Sequence, residues 1–382
     1  MGEFICPHCG NKDPAKIGYR KGMPYCRACL SFCGEKADPD YVVQPGIFLQ
    51  LNYELSPAQK EISHKVVLAL KEGRDVLIHA VTGAGKTELV YAAMEDYLIR
   101  RKHVGFATPR KDVVADLLPR FEESFPLASV CAVYGGHSER LNADILCLTT
   151  HQLYRYPQYF DLLVLDEIDA FPYRGDEVLH HFFENSVRGR RILLSATATE
   201  KDIQEMKERG VVLELFERYH HGRVPVPEVV LASPLLMPVR CLSLLRMLRE
   251  KGKPVFVFVP SIERGRKVFR FLSFFLDGGS FVSSKEEERA RDIARFKKGE
   301  YSFLVTTSIL ERGVTVKDLQ VIVYDASSPI YDKETLIQIS GRVGRKKEAP
   351  SGKVYYLAEE ETKAMRESIK EIESYGRKKI LP

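Results

Sequence analysis

At 382 residues the chain is too long for one comfortable core and predicts two or three domains. It is 45% hydrophobic and 29% charged and has no low-complexity tract, the make-up of an ordinary soluble protein. A net charge of +5, with both signs mixed throughout, excludes the strongly basic tails that coat nucleic acid non-specifically; it is compatible with a local polyanion-binding groove. No apolar run approaches the length of a membrane span. The start, Met1 to Phe4, lacks the basic and apolar parts of a signal peptide, so the chain reads as cytoplasmic.

Residues 1–45 are rich in Cys, Gly and Pro and show no amphipathic period. Cys6 and Cys9 form one CxxC pair and Cys26 and Cys29 a second, about sixteen residues on. That is the spacing of a four-thiolate zinc site, in which each pair aims two sulfurs at one tetrahedral ion. His8 and Cys33 lie near enough in sequence to stand in for one ligand. A redox pair is disfavoured because the strand-and-helix context is missing. Too short to bury a core, this block is expected to need its metal to fold. Lys12, Lys16, Arg20, Lys21 and Arg27 outnumber its acids, a surface equally suited to DNA, to a protein partner or simply to solvent. Cys131, Cys147 and Cys241 sit in apolar surroundings and read as buried thiols.

From Ser56 onwards short apolar runs alternate with helix-like stretches. Strands are predicted at 75–80, 104–108, 144–149, 162–166 and 191–195, with a helix from Lys86 to about Arg101. Runs apolar on both faces and separated by helices predict a parallel sheet with crossover helices. Pro225, Pro227, Pro234 and Pro238 then break the pattern and predict a linker. The rhythm resumes at 254–259, 280–283, 303–307 and 319–324, and a charged helix near Glu359 to Tyr375 closes the chain. The expected organisation is α/β: a cysteine module at 1–45, a first domain at 46–218 and a second at 219–382.

Ala80 to Thr87 follows a strand and opens a helix, the setting a phosphate loop needs. Gly83 and Gly85 let backbone N–H groups turn inward, Lys86 can bridge the β- and γ-phosphates, and Thr87 can place its hydroxyl on Mg²⁺. Asp166 and Glu167, in the sequence Asp-Glu-Ile-Asp, stand at the carboxyl end of a buried strand, where open sheets bind ligands. Asp166 would hold Mg²⁺ through water, and Glu167 would orient or deprotonate the attacking water. Arg342 and Arg345, three apart on a helical turn in the second block, face the same way and can stabilise the transition state if the blocks close.

These segments have company in a fixed order: Thr108 to Arg110, Tyr134 to Gly136, Thr149 to Leu153, Ser195 to Thr197 and Thr307 to Thr315. As a set, from about 56 to 350, they resemble motifs I to VI of superfamily-two helicases and translocases. The departure at Ala80, where the general phosphate loop has Gly, is the form that superfamily uses. The resemblance implies two tandem RecA-like domains. It implies nucleotide binding by Gln59, Thr82, Gly83, Ala84, Gly85, Lys86, Thr87, Glu88 and Gly313, with Gln59 reading adenine. Catalysis would fall to Lys86, Asp166, Glu167, Gln338, Arg342 and Arg345. Thr108, Arg110, Gly136 and Thr150 in the first domain, with Ser261 and Thr306 in the second, would grip DNA by sugar and phosphate. Ser195 and Thr197 would couple nucleotide state to that track.

More narrowly, the CxxC module ahead of this phosphate loop, followed by Asp166 to Pro172, the Thr307 segment and Gln338 to Arg345, is similar to the ComFA family of bacterial competence proteins over nearly the whole chain. This chain begins closer to its first cysteine than that family usually does. Membership implies an ATPase stimulated by single-stranded DNA that uses Mg²⁺ and Zn²⁺ and helps draw transforming DNA into the cytoplasm. It also implies a position at the inner face of the membrane, with a membrane DNA-uptake channel and a phosphoribosyltransferase-like competence protein as partners; the oligomeric state is left open. The nearest rival is a replication-restart or repair helicase that unwinds duplex. An RNA helicase is disfavoured by the absence of a DEAD tetrapeptide. A scaffold without turnover is disfavoured by the intact Lys86, Asp166, Glu167 and Arg345.

Overall fold

The structure, a computed structural model, describes residues 4–219, 222–283, 289–307 and 316–375. The chain divides into two compact units: Met1–Ala80 with Gly85–Leu215, and Phe216–Pro382 with the short segment Val81–Ala84.

In the first unit the cysteine module folds around an antiparallel hairpin of β1 (Ile17–Arg20) and β2 (Met23–Cys26). The apolar runs that follow become one parallel sheet. Its strands are β3 (Asp75–Ala80), β4 (Val104–Thr108), β5 (Val130–Val133), β6 (Ile145–Thr149), β7 (Phe160–Leu165), β8 (Val187–Ser195) and β9 (Gly210–Leu215), in the order β5-β6-β4-β7-β8-β3-β9. Helices Pro57–Lys71, Tyr91–Ile99, Lys111–Ser124, Glu177–Ser186 and Glu200–Arg209 carry the crossovers. The first is started by a capping box: Ser56 Oγ accepts from the Gln59 N–H, and Gln59 Oε1 accepts from the Ser56 N–H at 2.9 Å. The helix expected from Lys86 to Arg101 is interrupted at Val90, giving Lys86–Leu89 and Tyr91–Ile99.

The cysteine module does not have a core of its own. Cys6, Cys9 and Cys26 are buried in the same apolar cluster as Tyr154, Phe182 and Phe183. Phe32 and His8 meet Phe182 edge to face, with ring centroids 4.9 and 5.3 Å apart.

The second unit holds another parallel sheet: β10 (Glu228–Leu231), β11 (Val255–Phe258), β12 (Gly279–Val282), β13 (Phe303–Thr306), β14 (Gln320–Tyr324) and β15 (Val354–Ala358), ordered β10-β15-β14-β11-β13-β12. Two apolar clusters, one on each face, bury it against helices that include Met237–Glu250, Ile262–Phe275, Lys333–Ser340 and Lys363–Tyr375. β10 lies inside the proline-rich stretch read as a linker; as an edge strand it tolerates prolines just ahead of it. No described helix is long and apolar enough to cross a membrane.

Phe182 is almost fully buried at the seam between the cysteine module and the motor fold. Phe182→Ala is expected to cost about 3–5 kcal/mol of stability, read as a lower denaturant midpoint with an unchanged slope; a change below about 1 kcal/mol would show that the module is not part of that core.

Candidate nucleotide and nucleic-acid site

The carboxyl edge of the first sheet is divided by strand order. The segments after β3, β8 and β7, three consecutive strands, carry the residues expected to bind nucleotide and couple it; those after β4, β6 and β5, the next three, carry the residues expected to face DNA. Both sets therefore share one edge of one rigid sheet, at the place where such sheets bind ligands.

After β3 the chain turns through Gly83 (φ +85°) and Gly85 (φ +78°), with the Ala84 N–H donating to Val81 O at 3.1 Å. Gly85 is required twice over. Its backbone is left-handed, and a Cβ there would stand 2.4 Å from Gln59 Nε2. Gln59 thus presses its amide nitrogen against the loop while its oxygen caps the preceding helix. Lys86 is half-buried and Thr87 buried at the opening of the helix. Glu88 accepts an ion pair from Arg120 Nη2 at 2.6 Å; Thr82 is half-buried.

Asp166 follows β7 and is buried. Burial pushes its carboxyl up to about 6; the Lys86 ammonium pulls the other way and the Glu167 carboxylate adds to the rise. A divalent cation held by Asp166 and Thr87 would offset that cost, so the donor set fits Mg²⁺. Glu167 has φ +58°, an uncommon conformation for a side chain of its size, and its N–H donates to Asp166 Oδ1 at 2.8 Å. The last residue of the motif, Asp169, has a position of its own. Its two carboxylate oxygens accept from Ser195 Oγ at 3.0 Å and Thr197 Oγ1 at 2.8 Å, and the Thr197 N–H donates to Ser195 Oγ at 3.0 Å. The sequence assigned Ser195 and Thr197 to coupling and left Asp169 without a role; its place as the second aspartate of the motif was the only available signal.

On the other half of the edge, Thr108 and Thr150 are fully buried, and neither hydroxyl has a hydrogen-bond partner among the described residues. Arg110 is half-buried at the start of the helix Lys111–Ser124. Gly136 (φ +82°) is exposed in a tight turn closed by reciprocal bonds between Tyr134 and His137, with open space where a Cβ would be.

In the second unit Gln338 and Arg342 are buried near the end of the helix Lys333–Ser340, and Arg345 Nε donates to Gly341 O at 3.0 Å. The turn between the two arginines is held by a residue that sequence reasoning missed. Arg218, 1% exposed, donates to Val343 O at 2.6 Å, Gly344 O at 2.8 Å and Gly341 O at 3.0 Å. Burial and the nearby charge of Arg345 pull its guanidinium down to about 9, against the pull of Tyr219. In the sequence it is one cation at the edge of a proline-rich break, with nothing to mark it. Ser261 caps the helix Ile262–Phe275, its hydroxyl accepting from the Arg264 N–H at 3.2 Å. Thr306 is fully buried and donates to Thr307 O at 3.1 Å. Gly313 lies outside the described residues.

The four cysteines of the module converge. Cys6 and Cys29 sulfurs are 3.7 Å apart, Cys9 and Cys26 sulfurs 3.6 Å apart, and all four lie within 4.8 Å of one another. Tetrahedral zinc with bonds of about 2.3 Å requires sulfurs about 3.8 Å apart, so the donor set fits the ion. Burial pushes the Cys9 thiol up to about 11, and burial and the neighbouring sulfurs push Cys29 higher still, a cost that a bound cation removes. His8 instead packs on Phe182 and Tyr154, and Cys33 is exposed.

Residues 56–206 match the DEAD/DEAH box helicase family, and residues 239–347 match the helicase conserved C-terminal domain. Competence protein ComFA of Streptococcus pneumoniae is 31% identical over 97% of this chain and 90% of its own length. Competence protein ComFA of Bacillus subtilis is 31% identical over 97% of this chain and 85% of its own. Among solved structures, S. cerevisiae Dbp5 bound to RNA and ADP BeF3 superposes with a TM-score of 0.65 at 17% identity, over 84% of this chain and 91% of that one. Mycobacterium smegmatis helicase Lhr bound to ssDNA and AMP-PNP gives 0.62 at 17% identity, over 84% of this chain and 50% of that one. At that identity the likeness is one of fold: two RecA-like parallel-sheet domains, as expected from the sequence.

Asp169→Ala removes the acceptor for two buried hydroxyls. It is expected to abolish most nucleic-acid stimulation of ATP turnover while changing nucleotide affinity less than about threefold; stimulation at the wild-type level would refute the coupling. Arg218→Met strips donors from four carbonyls, Thr82 O included, and is expected to lower turnover at least about tenfold, about 1.4 kcal/mol, in protein whose circular dichroism is unchanged. Full activity in that variant would show that the turn holds itself.

Proposed function

The chain belongs to the ComFA family of competence proteins, and from that premise we propose that it is a translocase that uses ATP to draw single-stranded DNA during natural transformation. Its two helicase domains make it an ATP-hydrolysing helicase; the DNA substrate and the import role are the parts proposed. The observation that supports the proposal best is the Asp169 carboxylate, which joins the strand end carrying Asp166 and Glu167 to the Ser195–Thr197 segment on the same sheet edge.

In this mechanism Thr82, Gly83, Ala84, Gly85 and Lys86 cradle the phosphates, Gln59 faces the adenine side, and Glu88 is held by Arg120. Bound Mg²⁺ would neutralise charge on the transferred phosphoryl group. Glu167 orients the attacking water and accepts its proton, and Asp166 and Thr87 would hold the cation. Arg342 and Arg345, braced by Arg218 and assisted by Gln338, bring positive charge to the transition state when the domains close. Gly313 is assigned to the nucleotide side; Thr108, Arg110, Gly136 and Thr150 form one grip on the sugar–phosphate backbone and Ser261 and Thr306 belong to the other. Alternate tightening of the two moves the strand. Zinc held by Cys6, Cys9, Cys26 and Cys29 would be structural, since four protein thiolates would leave no position open for chemistry. The proposed partners are a membrane DNA-uptake channel and a phosphoribosyltransferase-like competence protein, met at the inner face of the membrane.

ATPase rates measured with single-stranded DNA, duplex DNA and RNA, for wild type, Lys86→Ala and Cys6→Ser, test this. Single-stranded DNA is expected to stimulate most, Lys86→Ala to lose about a hundredfold or more, and Cys6→Ser to lose metal and solubility together. Equal stimulation by RNA, or wild-type turnover in Lys86→Ala, would contradict the proposal; efficient unwinding of forked duplex would favour a repair helicase instead.

A further inference from the structure

The metal site accounts for the cysteines of the module and leaves its surface unexplained. Between residues 12 and 27 that surface displays Lys12, Lys16, Arg20, Lys21 and Arg27, all exposed, and none forms an ion pair among the described residues. The one acid in the stretch, Asp13, uses a carboxylate oxygen to accept the Ala15 N–H at 3.0 Å. Apolar and aromatic groups lie among these cations where a folded core has no use for them: Tyr19 is 71% exposed and Met23 72%. The hairpin pairs Gly18 with Tyr25 and Arg20 with Met23. Cross-strand partners share a face, so Tyr25, Arg20 and Met23 stand together. Tyr25 lies over Gly18, where a Cβ would come within 2.5 Å of the ring, and remains 36% exposed. An exposed ring on the same face of the hairpin as an arginine is a stacking surface for a base, with charge available to the adjoining phosphate.

The position of the module gives this surface a direction. A single 3-10 turn, Thr150–Arg155, both begins with the DNA-facing Thr150 and anchors the module through the rest of its length. His151 stacks on Phe32 with centroids 6.2 Å apart, Tyr154 Oη donates to Cys33 O at 3.0 Å, and the Ala37 N–H donates to Arg155 O at 3.0 Å. Arg155 Nη1 reaches Glu35 O at 2.6 Å. The module is thereby fixed beside the half of the sheet edge that carries the first grip, within the same compact unit.

We infer that the β1–β2 hairpin of the cysteine module is an additional contact for single-stranded DNA, extending the Thr150 grip by stacking on Tyr25 and by phosphate pairing with Lys16 and Arg20. This rests on the proposed single-stranded-DNA activity and adds to it a site outside the helicase motifs. The module then has two roles in one block of chain: the metal holds the hairpin in shape, and the hairpin holds the strand.

The test is binding of a fluorescent oligodeoxythymidine to the full-length, metal-loaded protein without nucleotide, across a series of salt concentrations. Wild type is compared with Lys16→Gln/Arg20→Gln and with Tyr25→Ala, with bound metal measured for each. Losing two phosphate contacts should flatten the slope of log affinity against log salt by about 1.4, and Tyr25→Ala should weaken binding about fivefold or more at every salt concentration. Metal content and DNA-free ATPase should match wild type. Metal-replete variants with wild-type slope and affinity would overturn the inference, including a case in which the same variants lose binding to a protein partner. Failure of the wild type itself to bind the oligonucleotide would instead defeat the underlying proposal of a single-stranded-DNA motor.

Discussion

The carboxylate of Asp169 accepts from Ser195 and Thr197 at the ends of two neighbouring parallel strands. Asp169 itself is half-buried, while both hydroxyls are buried; hydrogen bonds to a charged group contribute about 1.5–3 kcal/mol each. The ends of β7 and β8 are therefore locked to one another. The same locked segment carries Asp166, whose carboxyl is strained by burial, and Glu167, whose backbone is left-handed. Neither would hold its orientation on a free loop. A change that reaches one partner of this bond must be felt by the other, and the proposed coupling between hydrolysis and grip rests on that contact.

Arg218 plays the corresponding part in the second unit. A guanidinium with 1% exposure donates to three carbonyls of the turn that presents Arg342 and Arg345. An arginine accepts such a position because its donors are arranged in a planar fork that can satisfy several acceptors at once. Each unit thus has a segment stiffened by a charged side chain bonded to residues distant in sequence, 26 and 28 residues apart for the half-buried Asp169 and 123 to 126 for the buried Arg218.

Much of this was legible in the sequence, and what was missed follows a pattern. The runs at 75–80, 104–108 and 303–307 read as strands because they are apolar on both faces and bounded by turns, and they fold as β3, β4 and β13. β10 stands among prolines, which hide its short run, and β5 was not read as a strand. β15 is buried throughout yet carries two tyrosines, which blurred its apolar run. The phosphate-loop pattern and the paired cysteines were readable because the chemistry expected of them requires fixed spacing within a few residues. Asp169 and Arg218 were not, because their partners are set by tertiary contact. The attachment of the cysteine module was invisible for the same reason: Phe32 and His8 look like ordinary residues until Tyr154 and Phe182 are found against them.

Coupling between nucleotide and strand is the central claim, and it is a thermodynamic quantity that can be measured without turnover. The affinity of the metal-loaded protein for a single-stranded oligodeoxynucleotide, determined with and without saturating non-hydrolysable ATP analogue and Mg²⁺, reads it directly. The account predicts affinities that differ by at least about fivefold, the lower end of typical coupling energies, with the same factor recovered when analogue affinity is measured with and without DNA. Identical affinities in the two nucleotide states would contradict it, since an ATPase whose grip ignores its nucleotide cannot move along a strand.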